Sequence, residues 1–144
     1  MTDYHTAGVT SKNNPISHKQ IREIIELIKG MKVDKAIMRL EHVIEHKEAV
    51  PFKRYHRKVS HKPGMAAGRY PEKASNAVIM ALKSAKNNAL NKGLQEEKLI
   101  VKEGVVMMDI SKRKRIRTSK GGFISSLRST SFRIILAEEE GEKK

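Results

Sequence analysis

Ile21, Ile24, Ile25 and Ile28 stand at i, i+3, i+4 and i+7 in an otherwise polar stretch, the pattern of one buried stripe on an α-helix. Ser17 and Gln20 have the spacing of a capping box, in which each side chain satisfies an orphan amide at the helix start. Gly30 follows Lys29 as the expected stop, since glycine takes the left-handed conformation there without strain. A second helix is predicted from about Val33 to about Ile44, with Ile37, Leu40 and Ile44 on its inner face. Residues 49–71 then break the period and carry three of the four prolines, which reads as a long irregular connection. Pro71 suits the first turn of a third helix and Glu72 complements its dipole. Ala74, Ala77, Val78, Ala81, Leu82, Ala85 and Ala89 carry that helix to Asn91-Lys92-Gly93, a length of about 30 Å. So much alanine on one stripe implies a very close neighbour.

From Lys98 the pattern turns to strand. Leu99, Ile100 and Val101, then Val105 to Met108, are β-branched or apolar, with Gly104 as the expected bulge. Thr130, Phe132, Ile134 and Leu136 alternate on a returning strand. Between the two runs lies KRKRIRTSKGG, residues 112–122, a polar connection too long for a tight turn. At the amino end, Val9 and Thr10 suit a short edge strand or a frayed tail equally well, and the end EEEGEKK is polar. The expected fold class is α+β: three helices packed on a small antiparallel β-sheet, with a long, extended, basic β-hairpin. Its 144 residues suit a single domain. The expected division is an N-terminal arm 1–15, a globular base 16–104, the hairpin 105–136 and a polar tail 137–144.

Charge changes the picture most. Thirty Lys and Arg against sixteen Asp and Glu give a net charge of +14, which calls for a polyanionic partner. The absence of cysteine excludes disulfide partners, Cys-ligated zinc and thiol catalysis, and fits a reducing compartment. No apolar run approaches the ~20 residues of a membrane span, and residues 1–15 lack a signal-peptide core. A soluble intracellular protein without a cofactor is expected.

Lys112, Arg113, Lys114, Arg115, Arg117 and Lys120 stand close together with no acid among them. Like charges so placed repel one another and bury nothing, so the arrangement makes sense if something densely anionic surrounds it; a solvated charge run or a localisation signal is the plainer reading. Arg113, Arg115, Arg117 and Arg128 suit bidentate contacts to phosphate, and Gly121 lets the backbone turn or approach RNA closely. Lys53, Arg54, Arg57, Lys58, Lys62 and Arg69 form a second basic set in the irregular connection. Phe52, Tyr55 and Tyr70 lie among these cations, placed to stack on bases or on the protein itself. Lys73, Lys83, Lys86 and Lys92 read as a solvated helix surface. The competing signal is His42-Val43-Ile44-Glu45-His46, which matches the H-x-x-E-H pattern of zinc-dependent hydrolases. On a continuous helix both imidazoles would share a face and Glu45 would serve as general base. That reading needs a third ligand and a cleft, and the motif falls where the second helix ends. A basic nucleic-acid-binding module of unspecified setting is the other alternative.

The ordered series ISHKQIREIIELIKGMKVDKAI (16–37), AVPFKRYHRKV (49–59), GRYPEKA (68–74), LKSAKNNALNKGL (82–94) and RIILAEEE (133–140) resembles the L-twenty-two family of large-subunit ribosomal proteins, in its archaeal and eukaryotic branch. The resemblance departs at the hairpin tip, where Thr118-Ser119-Lys120-Gly121-Gly122 replaces an Arg-Ala-x-Gly-Arg pattern. It implies a non-enzymatic, cytoplasmic ribosomal protein that binds large-subunit rRNA and neighbouring ribosomal proteins. It also implies a hairpin that lines the exit tunnel, with the nascent polypeptide near its tip.

Overall fold

A computed structural model describes residues 6–109, 112–127 and 129–138, without the side chains of residues 112, 118, 126 and 127. Three helices cover one face of a three-stranded antiparallel sheet. Helix α1 is His18–Ile28, α2 is Val33–Ile44 and α3 is Glu72–Asn91. The sheet is made of β1 (Thr6–Asn14), β4 (Leu99–Met108) and β7 (Thr130–Glu138), in the order β1-β7-β4. Two short strands, β2 (Val50–Pro51) and β3 (Gly68–Arg69), pair across the neck of the irregular connection. Beyond the sheet, β5 (Lys112–Thr118) and β6 (Gly121–Leu127) form a separate two-stranded ladder, the finger. No described helix is long and apolar enough to cross a membrane.

The core follows the predicted stripes. Ile21, Ile24, Ile25 and Ile28 of α1 are buried against Phe132, Ile134 and Leu136 of β7 and against α3. The alanine face of α3 lies against β1, β7, α1 and α2, where Ala74, Ala81, Ala85 and Ala89 leave room for close approach. On α2 the inner face is Val33, Ala36, Leu40 and Val43; Ile37 and Ile44 sit half-buried at its margins rather than at its centre.

Three local expectations are corrected and one open alternative, strand or tail at the amino end, is resolved. Ser17 is the N-cap of α1, but its side chain makes no capping bond, so the box with Gln20 does not form. The amino end is no frayed tail: β1 pairs with β7 from Thr6↔Ala137 to Asn14↔Thr130. The bulge of β4 falls between Val101 and Glu103, two residues before Gly104. Gly104 serves a different purpose, because a Cβ there would come 2.5 Å from Cγ2 of the buried Ile25. Finally, the stretch 112–122 is mostly ladder. Its strands are joined through Ser119 and Lys120 alone, with Thr118 facing Gly121.

Two glycines give checkable consequences. Gly104→Val is expected to push α1 off the sheet and cost about 1–3 kcal/mol, the usual price of overpacking. A thermal melt within a degree of the parent would contradict that close approach. Gly30 has φ +78 with nothing within 4 Å of a would-be Cβ, so only backbone strain opposes a side chain. Gly30→Val should therefore lose about 1 kcal/mol or more, and Gly30→Asn clearly less, since asparagine tolerates the left-handed region. Equal melting temperatures for the two variants would refute the cap.

Lys86 is more than a solvated surface residue. Its Nζ donates to Asp34 Oδ1 of α2 and to Glu96 Oε1 beyond α3, both at 2.6 Å, tying the two helices together. Those hydrogen bonds raise its pKa above the ordinary 10.5. The raised value means a contribution fully present below pH 10.5 and lost as pH rises through the folded-state pKa. Lys86→Met should cost no more than about 1 kcal/mol at neutral pH, because both carboxylates are half exposed to solvent. Denaturant titrations of parent and variant should converge above pH 10.5; a gap that widens there would reverse the sign.

Candidate nucleic-acid interface

The finger lies between β4 and β7 in the chain. Their ladder ends at Met108↔Thr130, Asp109 N–H donates to the Ser129 carbonyl, and pairing resumes at Lys112↔Leu127. Asp109 Oδ2 also accepts hydrogen bonds from the Ser131 hydroxyl at 2.8 Å and the Ser129 hydroxyl at 3.3 Å, which braces the root. Of the predicted hairpin, 105–108 and 130–136 thus lie within the sheet of the base. Beyond it β5 adds seven residues, about 23 Å when extended.

Strand alternation sorts the charges of the finger. Arg113, Arg115 and Arg117 share one face, opposite Ile124 and Gly122 on β6, and all three are exposed. Lys114 lies on the other face with Ile116, Phe123 and Ser125. Among the described residues no carboxylate pairs with Arg113, Lys114, Arg115, Arg117 or Lys120. Gly122 faces Arg117, and a Cβ there would lie 3.5 Å from Arg115 Nε, in ordinary contact. Gly121 has φ +107, so the turn is closed by a residue in the region that favours glycine. Arg128 lies outside the described residues, and Lys112 is placed in β5 by its backbone alone.

The second basic set is organised by a residue that the sequence did not single out. Glu23 of α1 is 3% exposed. Its Oε1 accepts the backbone N–H groups of Arg54 and Tyr55 at 3.0 and 2.8 Å, and its Oε2 that of Lys53 at 3.1 Å. One carboxylate thus gathers three successive amides and fixes the start of the loop. Phe52, buried, anchors it from below, and its N–H donates to the Ala67 carbonyl. Arg54, Arg57 and Arg69 then converge on one hollow of about 310 Å³, together with Tyr55 and with Lys19 of α1. Lys19 carries no sequence signal beyond its charge. Lys53 faces another side, beside Glu23, Glu26 and Arg39. Lys58, at φ +58, is exposed, and Lys62 Nζ lies 5.2 Å from the centre of the Tyr70 ring. Of the three aromatics, Phe52 packs into the core and Tyr70 stacks on His46 at 4.8 Å, while Tyr55 faces the hollow.

The H-x-x-E-H segment does not form the geometry it spells. Helix α2 stops at Ile44 and His46 has φ +61, so His42 and His46 do not share a helical face. His46 Nε2 lies 2.7 Å from Glu72 Oε1. Glu45 bonds Lys47, which lowers its pKa below the ordinary 4.5, whereas a general base at neutral pH needs a raised one. Among the described residues no three His, Asp or Glu side chains cluster as metal ligands would.

Residues 9–137 match the family described as Ribosomal protein L22p/L17e. The large ribosomal subunit protein uL22 of Methanothrix thermoacetophila is 49% identical over 90 residues, covering 60% of this chain and 59% of the relative. The protein of the same name from Methanocaldococcus jannaschii is 49% identical over 100 residues, 67% of this chain and 64% of the relative. That of Archaeoglobus fulgidus is 44% identical over 90 residues, 60% and 58% respectively. The chain thus spans about three-fifths of the length of the curated relatives it matches.

Proposed function

The chain belongs to the Ribosomal protein L22p/L17e family, and from that premise we propose that it is a structural constituent of the large ribosomal subunit in the cytoplasm. It binds the subunit's RNA, supports assembly and contacts neighbouring ribosomal proteins, and it makes or breaks no bond. The observation that carries this reading is the finger, whose exposed cations meet no carboxylate of their own among the described residues. Isolated, such a two-stranded element is marginal and self-repelling; packed phosphate supplies the missing counter-charge. Aromatics make up only 4% of the chain, which favours recognition of RNA by shape and phosphate over base-stacking along a single strand.

The tip, Ser119 to Gly122, is the place where the nascent polypeptide passes. Small and neutral except for Lys120, it adds little bulk to a narrow passage. Sucrose-gradient fractionation of a cell extract should find this chain with large subunits and release it by high salt. Its recovery only at the top of a low-salt gradient would end the proposal. A photo-crosslinking residue at position 119 should capture a stalled nascent chain; crosslinks to RNA alone would remove the tunnel contact and leave the rest.

A further inference from the structure

The hollow beside α1 differs in chemistry from the finger. Its walls are Lys19, Arg54, His56, Arg57 and Arg69, with Tyr55 and Val59 as its less polar part. No carboxylate lines it, so an anion is favoured there. Tyr55 is half-buried, packed on one side against the core, and also lines the hollow, which gives the site an aromatic as well as a cationic part. Lys19 Nζ lies over the Tyr55 ring at 5.3 Å and the Arg54 guanidinium at 5.9 Å from its centre, so π surface and cations are stacked together in the hollow. The edge of His18 meets the same ring at 6.2 Å and holds its orientation. About 310 Å³ is at the small end of sites that enclose a small ligand, and far too little for a duplex.

The hollow is also fixed before any ligand arrives. The three amides held by Glu23 set the backbone of residues 53–55, and β2 pairing with β3 sets that of Arg69. Binding there does not have to order the loop first, which removes much of the usual entropic cost.

We propose that this hollow holds one unstacked ribonucleotide of the bound RNA, its base against Tyr55 and its phosphate within reach of Arg54, Arg57 and Arg69. Unpaired bases in RNA loops and bulges are commonly recognised by stacking on aromatic rings or guanidinium planes. The inference rests on the reading that the partner is RNA and adds a base-contacting site to a surface otherwise suited to phosphate. The finger would then supply salt-sensitive affinity, and the hollow a fixed register on the RNA.

The test uses the full chain and amide chemical shifts, with adenosine 5′-monophosphate and inorganic phosphate as probes. Adenosine 5′-monophosphate should shift Tyr55, Arg57 and Val59 and bind at least tenfold more tightly than phosphate. Tyr55→Leu should abolish that preference. Arg57→Gln, at an exposed position, should weaken the nucleotide at least threefold and guards against a misfolded Tyr55 variant. Equal affinity for the two probes, or shifts confined to the finger, would overturn the proposal. Gradient fractionation of the same protein separates the two readings. Co-sedimentation without nucleotide preference removes only the hollow, whereas failure to co-sediment removes the ribosomal reading itself.

Discussion

Replacing Arg113, Arg115 and Arg117 together by glutamine should lower affinity for large-subunit RNA on the order of a hundredfold at moderate salt, if each arginine is worth ~1 kcal/mol on phosphate. The plot of log affinity against log salt should flatten by about two to three units, since three fewer phosphates are neutralised. The melting temperature should hardly move. All three side chains are exposed on one face of the finger and touch no part of the core. Easing their mutual repulsion could only help the free protein. Unfolding of the variant would mean that the arginines support the base, and an unchanged salt slope would mean that they meet no phosphate.

The opposite signature is expected of Glu23→Ala. Three backbone N–H groups lose their acceptor at once, and the loop start loses its anchor. Hydrogen bonds to a charged group are worth ~1.5–3 kcal/mol each, but the loop amides gain water when released, so about 3 kcal/mol in total is expected. That should lower the melting temperature by roughly 6–12 °C in a chain of this size. RNA affinity should fall as well, with the salt slope almost unchanged, because no cation has been removed. Glu23→Gln should lie between the two, since its amide keeps one acceptor oxygen and turns a donor toward the others. A variant as stable as the parent would show that Glu23 is ornamental to the loop.

These two residue sets differ in how legible they were. The arginines announce themselves by composition, as did the isoleucine stripe of α1 by its period. Glu23 lies on the side of α1 away from that stripe, where periodicity predicts water. It is buried because the loop from Phe52 to Tyr55 folds over the polar face of the helix, a tertiary event with no local trace. Strand β1 was ambiguous for a related reason. Its sequence TAGVTSKNN has little apolar alternation, and its pairing with β7 is made by backbone groups that every residue possesses. The ladder inside 112–122 was read as a connection because a strand with both faces in solvent carries no period of two. Gly104 was correctly marked as special and wrongly explained: the neighbour that needs its missing Cβ is Ile25, about 80 positions away in sequence.

The central place of β7 has a mechanical consequence. A pull on the finger tip is delivered to the base through the carboxyl end of β4 and the amino end of β7. Because β7 is flanked on both sides, by β1 from Thr6 to Asn14 and by β4 over nearly its whole length, that load meets the β1 ladder in shear. Many hydrogen bonds must then yield together rather than one after another. A strand at the rim would have unzipped; this one is seated to hold.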